Sequence, residues 1–381
     1  MHATGIIAEY NPFHNGHQYQ INWVKEHFPA TTLVIAMSGN YLQRGEPACF
    51  DKWVRAREAL QAGADLVVEI PFGLCMQPAD RFAQSGVAVL QQLGVENLVF
   101  GAEHSNYDFK DLAQKSQDLT WDYQRYNISY AALYQQAVKE AVGFEITQPN
   151  DLLGLAYARA ALALAPTLNL VPIQRQAAGY HDQKLPTGGH IASATAIRQN
   201  IHEPDMVKKF VGAQTWMDIK QETSVTWANL WPLLRYRLLT ATPKQLATIY
   251  GMAEGIQYRM QEQLQLAPVS LDFDAWLKKV KTKRFTYTRL SRLALATVLN
   301  ISTAEVEQAW AHPFVRILGF NRTGQNYLSI QKKKIAWPVV TNVNKELKKT
   351  LLSLDYRVGK VYQMFNYQEQ DMRRAPIRIG V

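Results

Sequence analysis

Cysteine is scarce in this chain. Cys49 and Cys75 are its two among 381 residues, too few and wrongly spaced for a disulfide scaffold or a Cys-based zinc site. Long apolar runs are missing as well. The most apolar stretch, residues 152–170, is interrupted by Arg159, Pro166 and Asn169, and it reads as a core helix rather than a membrane span. The first residues carry no basic n-region and no extended apolar h-region, so a soluble cytoplasmic protein is expected. No internal repeat and no low-complexity linker is found. Negative charge is scarce in one half only. Residues 1–200 hold 14 Lys and Arg against 18 Asp and Glu, a net −4, whereas residues 201–381 hold 27 against 14, a net +13. An acidic half followed by a basic half suggests a ligand-binding or catalytic core with a polyanion-binding appendage.

What is present is an alternation. Apolar, β-branched runs lie at residues 5–9, 31–37, 66–70, 97–100 and 170–173, with helical spacing between them near 16–27, 51–62, 79–93 and 150–165. Strands that read as continuous apolar runs are buried on both faces, as in a parallel sheet covered by helices. The expected fold is therefore α/β with a Rossmann-like core, ligands gathering at the carboxyl ends of the strands. An insert over 104–148 reads as helical, with Tyr130, Leu133, Tyr134 and Val138 on one face. Beyond residue 200 the alternation stops. Residues 206–310 read as mainly helical, with Trp216, Trp227, Trp231, Leu234, Leu238, Leu246 and Tyr250 at helical intervals, and a basic α+β tail follows. The length suits two or three domains, drawn here at 1–200, 201–310 and 311–381.

The segment that carries chemistry is Gly5-Ile6-Ile7-Ala8-Glu9-Tyr10-Asn11-Pro12-Phe13-His14-Asn15-Gly16-His17. It runs from the first strand through an Asn-Pro turn into a helix, where unpaired N–H groups and the positive dipole end favour phosphate. Two imidazoles three residues apart can donate N–H bonds to phosphate oxygens as charge builds there, and Gly16 lets a nucleotide approach the backbone. His-x-x-His is also half of a metal site or a pair of core histidines, but no third ligand has a spacing that completes a metal set. A second element follows the fifth strand. In Ser193-Ala194-Thr195-Ala196-Ile197-Arg198, Ser193 can cap a helix that carries Thr195 and Arg198 on one face. The H-x-G-H string resembles the signature of the nucleotidylyltransferase superfamily, and the second string resembles the S-[AST]-T-x-I-R motif that binds β- and γ-phosphates there.

Further strings narrow the likeness: Met37-Ser38-Gly39-Asn40-Tyr41-Leu42-Gln43-Arg44-Gly45-Glu46-Pro47-Ala48, Asp51-Lys52-Trp53-Val54-Arg55-Ala56, Phe100-Gly101-Ala102-Glu103, Pro149-Asn150-Asp151-Leu152-Leu153-Gly154, Ile173-Gln174-Arg175, and Arg316-Ile317-Leu318-Gly319-Phe320-Asn321. Together they resemble the bacterial tRNA(Met) cytidine acetate ligase family over nearly the whole chain. The resemblance implies an ATP-dependent ligase. Such an enzyme converts free acetate to acetyl-adenylate, releases pyrophosphate, and passes the acetyl group to N4 of the wobble cytidine of elongator tRNA(Met). It also implies an ATP site on Ile7, Ala8, Glu9, Tyr10, Asn11, Pro12, Phe13, His14, Asn15, Gly16, His17, Gln18, Tyr19 and Gln20, with Gly101, Asn150 and Arg175. Ser193, Thr195 and Arg198 join that site through the phosphate motif.

Expected roles follow from side-chain chemistry. His14 and His17 stabilise the α-phosphate as its charge grows. Arg44 and Lys52 lie where a loop and helix could close on the substrates, Lys52 as a mobile phosphate ligand. Gly101 leaves room for the adenosine or simply ends a strand. Asn150 caps a helix or bonds the nucleotide, and Arg175 clamps an anion or sits in a surface ion pair. Mg²⁺ is expected to neutralise the triphosphate, although no carboxylate cage is visible and no metal-ligating residue is named. For RNA, the tail offers Lys332, Lys333, Lys334, Lys345, Lys348, Lys349, Arg373 and Arg374 among aromatic rings. Lys279–Arg284, with Arg289 and Arg292, extends that basic surface. Two alternatives stay open on the residues alone: a small-molecule adenylyltransferase of the pantetheine-phosphate or nicotinamide-mononucleotide kind, and a non-catalytic RNA-binding relative.

Overall fold

The structure, a computed structural model, describes residues 1–117, 130–176 and 184–380. Five strands form the parallel core: β1 (Ala3–Ala8), β2 (Thr32–Ser38), β3 (Leu66–Ile70), β4 (Asn97–Ala102) and β5 (Asn169–Gln174), ordered β5-β4-β1-β2-β3. Register is in step across the centre, from Ala3 opposite Thr32 to Ala8 opposite Met37, and from Asn97 opposite Asn169 to Ala102 opposite Gln174. Helices fill the crossovers: α1 (Asn15–His27), α2 (Lys52–Gln61), α3 (Phe72–Cys75), α4 (Ala79–Gln92), α5 (Phe109–Lys115), α6 (Tyr130–Val142) and α7 (Pro149–Leu164).

The apolar runs are divided by the pleat. Leu33, Ile35 and Met37 of β2 pack with Ile21 and Val24 of α1 and Ala56 and Ala59 of α2. Val34 and Ala36 face the other layer, with Phe82, Val87 and Leu90 of α4 and Leu155 and Ala158 of α7. Burial on both faces leaves no room for alternation, as the sequence predicts for a covered parallel sheet. Within the insert, Leu133 and Val138 are buried as expected, while the side chain of Tyr130 lies outside the described residues.

The tail enters the same sheet. Strand β6 (Val315–Asn321) runs antiparallel to β3, pairing Leu66 with Phe320 and Glu69 with Arg316. Strands β7 (Val339–Val340) and β8 (Ile377–Ile379) then pair parallel with β6. The compositional boundary near 310 thus precedes a strand that extends the sheet of the first 200 residues.

Between them lie α8 (Ala194–Gln199), α9 (Pro204–Val207), α10 (Ala213–Gln221), α11 (Trp227–Thr240), α12 (Pro243–Leu246), α13 (Ile256–Gln265), α14 (Phe273–Val280), α15 (Tyr287–Leu299) and α16 (Thr303–Ala311); α17 (Arg322–Gln331) and α18 (Ser353–Asn366) belong to the tail. Trp231, Leu234, Leu238 and Leu246 form a core with Met260, Trp276, Leu290 and Leu293, as their spacing predicts. Helix α15 docks on the loop after β2. Ser291 Oγ donates to the Gly45 carbonyl at 2.7 Å. At Gly45, φ is +79° and a Cβ would stand 2.3 Å from the Arg292 nitrogen, so the loop and helix meet only through glycine. Among the described residues no helix is long and apolar enough to cross a membrane.

Candidate active site at the carboxyl ends of the strands

A cavity of about 580 Å³ opens beyond β1, β4 and β5. The turn after β1 shapes one wall. Tyr10 takes φ of +50°, a left-handed conformation unusual for an aromatic residue, and a cis peptide joins Asn11 to Pro12. His14 then occupies the N-cap of α1. Its Nδ1 accepts from the Gly16 N–H at 3.0 Å, and His17 Nδ1 accepts from the His14 N–H at 3.2 Å. This is a capping box made from two imidazoles. The rings stack with centroids 3.7 Å apart.

That geometry fixes the tautomer. Each Nδ1 lone pair is engaged by a backbone donor, so a neutral ring carries its proton on Nε2, the edge left for a ligand. A second proton could enter only by breaking the cap. Electrostatics agree with this: burial, followed by the guanidinium groups of Arg175 and Arg198, pushes His14 down to about 3. Burial, His14 and Arg175 hold His17 well below the ordinary imidazole range. Both rings are neutral N–H donors at rest. Gly16 has a reason beyond nucleotide access, because a Cβ there would lie 2.9 Å from His14 Cε1.

The second motif closes over this turn. Ser193 Oγ caps α8 by accepting from the Ala196 N–H at 3.0 Å. Arg198 donates to the Asn11 carbonyl at 2.6 Å and sits 3.9 Å from Glu46. Asn11 Oδ1 in turn accepts from the Cys49 N–H at 2.7 Å. Thr195, Arg198, Arg175 and Arg44 all line the cavity with the two histidines. The opposite end is set by Glu103. Its carboxylate accepts from the Asn150 and Asp151 N–H groups at 3.1 and 3.2 Å and from Asn150 Nδ2 at 2.5 Å, and it lies 3.9 Å from Arg175. Glu103, not Asn150, therefore satisfies the start of α7, while Asn150 lines the cavity as a donor held in place. Gly101 makes space of a specific kind: a Cβ would meet Arg175 Cγ at 3.2 Å.

Not every expected residue arrives here. Of the opening segment, Ile7, Ala8, Glu9, Tyr10, Asn11, His14, Gly16, His17, Tyr19 and Gln20 line the cavity, whereas Pro12, Phe13, Asn15 and Gln18 do not. Phe13 packs against Tyr10 and His17 at ring centroids of 4.9 and 5.6 Å. Asn15 donates to the carbonyls of His190 and Lys209, tying α1 to the second motif, and Gln18 donates to Asn22 and the Ala62 carbonyl. Lys52 is placed elsewhere. Its ammonium is buried between Glu69, at 2.9 Å, and Asp371, at 3.0 Å, beneath the sheet edge, so it is no mobile phosphate ligand in this structure. The partner Asp371 lies more than 300 residues away, and spacing gives no hint of it.

Three supports were not singled out as site residues from sequence. Arg55 is fully buried and donates to the carbonyls of Phe50, Glu9, Ser38 and Gly39, pinning the ends of β1 and β2. Glu103 and Gln43 are the others. All three lie inside the strings that carry the resemblance, but a buried positioning role has no signature in spacing alone.

The basic groups of the tail stand apart from this cavity. Lys332, Lys333 and Lys334 are exposed after α17, whose Tyr327 hydroxyl donates to the Leu93 carbonyl at 2.6 Å, just ahead of β4 and thus at the opposite sheet edge. Lys345 and Lys349 are exposed and Lys348 lies over Tyr356. Arg373 is exposed, while Arg374 donates to the Glu369 carbonyl and faces Trp53. On the helical side, Thr288 at the start of α15 reaches the cavity itself.

The HIGH Nucleotidyl Transferase family matches residues 1–375. The tRNA(Met) cytidine acetate ligase of Ligilactobacillus salivarius is 50% identical over 380 residues, covering 99% of this chain and 100% of that protein. The tRNA(Met) cytidine acetate ligase of Limosilactobacillus reuteri is 44% identical over 383 residues, with both chains covered completely. Among solved structures, apo TmcAL of Thermotoga maritima superposes over the full length of both chains with a TM-score of 0.89 at 29% identity. The same protein bound with alpha-thio ATP gives a TM-score of 0.85, again at 29% identity and with full coverage of both. With matches end to end in sequence and in fold, this chain belongs to the tRNA(Met) cytidine acetate ligase family of HIGH nucleotidyl transferases.

Proposed function

We propose that this chain activates acetate with ATP, releasing pyrophosphate, and transfers the acetyl group to N4 of the wobble cytidine of elongator tRNA(Met) in the cytoplasm. The observation that carries the reading is the stacked, N–H-presenting pair of His14 and His17 facing Arg175 and Arg198 across one cavity. Acetate attack on the α-phosphorus adds charge to that phosphate and to the leaving pyrophosphate. Donors already oriented in a partly dried site stabilise this charge without reorganising. His14 and His17 would serve the α-phosphate, and Thr195 and Arg198 the pyrophosphate end. Gly101, Asn150 and Arg175 would hold the nucleoside end.

Once the triphosphate occupies the site, its negative charge opposes that of the two arginines and draws the imidazoles back toward protonation. Among the described residues no group of three or more His, Cys, Asp and Glu could hold a metal ion. Mg²⁺ would therefore arrive on the triphosphate, with phosphate oxygens and water as its main ligands. RNA contacts fall to the basic second half, through the stretch 279–289, whose Thr288 lines the cavity, and through Lys345, Lys348, Lys349, Arg373 and Arg374 of the tail, with Lys332–Lys334 outside the contact.

The test is to incubate the chain with ATP, Mg²⁺, labelled acetate and unmodified elongator tRNA(Met), then digest the RNA. Labelled N4-acetylcytidine at the wobble position, absent when acetyl-CoA replaces acetate and ATP, is expected. Pyrophosphate release with another small substrate and no label in RNA would overturn the reading in favour of a small-molecule adenylyltransferase.

A further inference from the structure

The cavity extends past its phosphate end, and its lining divides by sheet face. Ile7 of β1 points to α4, where a Cβ at Gly86 would meet Ile7 Cδ1 at 2.6 Å. Glu9 follows the end of β1 and is tied toward that same side through Gln43. Gln43 follows Glu9 there. Its N–H donates to Glu9 Oε1 at 2.8 Å, and its side-chain amide donates to the Gln77 carbonyl at 2.9 Å, just ahead of α4. The walls on this side are Ala79 and Phe82 of α4, Phe100 of β4, and Leu153 and Tyr157 of α7. They are apolar and partly aromatic, unsuited to phosphate and well suited to a flat ring.

Glu9 is the polar group of this end. Arg55 holds its carbonyl at 2.5 Å, and Gln43 engages Oε1, while Oε2 accepts no hydrogen bond from any described residue. Burial raises the Glu9 carboxyl; the Gln43 N–H, Arg44 and Arg55 pull it down, and Glu46 pushes it up. The Cys75 thiol, itself pushed up by burial and by Glu9, is a further titratable neighbour, and the Tyr157 phenol stands on the wall of the same end.

We infer that this apolar end seats the cytosine that accepts the acetyl group, and that Oε2 of Glu9 receives the proton its amine loses. The inference rests on the proposed function and assigns the acceptor's place in it. A carboxylate is the natural partner of the cytosine N4 amine. Chemistry on a base requires it to leave its stack for a pocket with apolar or aromatic walls. The amine is a weak nucleophile because its lone pair is delocalised into the ring. As that lone pair forms the C–N bond to the acetyl carbon, the bond from that carbon to the phosphate oxygen breaks. AMP departs with the electron pair, and the surplus N4 proton passes to Glu9. Access is consistent with this. Thr288 lines the cavity, and Lys279, Lys283 and Arg289 belong to the same basic stretch, which would hold the backbone of an anticodon loop.

The experiment compares wild type with Glu9→Gln, which keeps size and an acceptor oxygen, in two assays. One is acetate-dependent ATP–pyrophosphate exchange with tRNA present; the other is single-turnover acetyl transfer to tRNA from preformed acetyl-adenylate across pH. Transfer should fall by about 10²-fold or more beyond any change in exchange, and should lose its acid-side pH limb. Equal loss of exchange and transfer would overturn the inference and assign Glu9 to ATP. Unchanged transfer would overturn it outright. A wild-type protein that exchanges pyrophosphate but acetylates no RNA would instead overturn the proposed function.

Discussion

Two regions of the molecule gather ionisable side chains, and they do so to opposite ends. At the strand ends, His14, His17, Arg175 and Arg198 face a cavity, with Glu103 3.9 Å from Arg175 and Glu46 3.9 Å from Arg198. Where β3 pairs with β6, Lys52 and Arg316 are matched by Glu69 and Asp371 at close range, with Arg316 reaching Asp371 at 2.5 Å. Burial pushes the Asp371 carboxyl up, but Lys52 and Arg316 outweigh it and hold it below the usual range. One region is packed around its own ion pairs; the other lines a cavity that a ligand can enter. A cation thus reads as functional where it lines a cavity, and as structural where it is buried at close range to the chain's own carboxylates.

Glycine marks the closed region as clearly as charge does. A Cβ at Gly39 would lie 2.3 Å from Glu69 Oε1, and one at Gly359 would lie 2.5 Å from Asp371 Oδ2. Close packing surrounds these carboxylates, and the small cavity between Lys52, Glu69 and Asp355 is far smaller than the one at the strand ends.

The contrast is sharpest in catalysis. His17→Ala, or His14→Asn (which keeps a helix cap), should lower acetate-dependent pyrophosphate exchange by about 10²–10³-fold with tRNA binding preserved. Parallel losses in both, measured by exchange and by filter binding, would break the division of labour. Next in size is a loss of stability. Lys52→Met leaves two carboxylates buried beside one guanidinium and should cost about 3–5 kcal/mol in chemical denaturation. A change below about 1 kcal/mol would show that the cluster is not as dry as its burial implies.

The two regions should also answer pH oppositely. His14 lies at about 3 in the folded chain against an ordinary 6.5, so below 6.5 the unfolded chain takes up that proton first. Its contribution to stability is whole above 6.5 and is lost as pH falls from there toward 3. Asp355, beside the closed cluster, is raised by burial and by Glu69 to about 7 from an ordinary 3.8. Between 7 and 3.8 the folded chain binds that proton first, so Asp355 adds stability as pH falls through the window. Melting curves of wild type, His14→Asn and Asp355→Asn from pH 4 to 8 separate the two slopes. Identical profiles for all three would contradict the assignment. The smallest effect concerns RNA. Replacing Lys332–Lys334 with alanine, at the far sheet edge, should change tRNA affinity by less than about twofold. Replacing Lys279 and Lys283 should weaken it several-fold and lower the salt slope by about 1–2.

Much of this was legible in the chain because it is local. The five core strands follow from apolar runs buried on both faces, and the phosphate turn follows from a strand that meets His14, Gly16 and His17 at the start of a helix. Ser193 caps α8 as its place in the motif suggests. Long-range pairing is what local patterns cannot carry. Nothing around Val315–Asn321 says that it will run antiparallel beside β3. Lys52 looks like a loop lysine near a phosphate site until Asp371 and Arg316 arrive from the tail. Asn150 likewise reads as a cap, and Glu103, 47 residues earlier, takes that task.

The most direct test is acetate-dependent ATP–pyrophosphate exchange, with tRNA present, in wild type, His17→Ala and the folded fraction of Lys52→Met. The account predicts near-complete loss in His17→Ala and a rate per folded molecule close to wild type in Lys52→Met. An active His17→Ala beside an inactive, folded Lys52→Met would place the chemistry in the closed cluster and contradict the central claim.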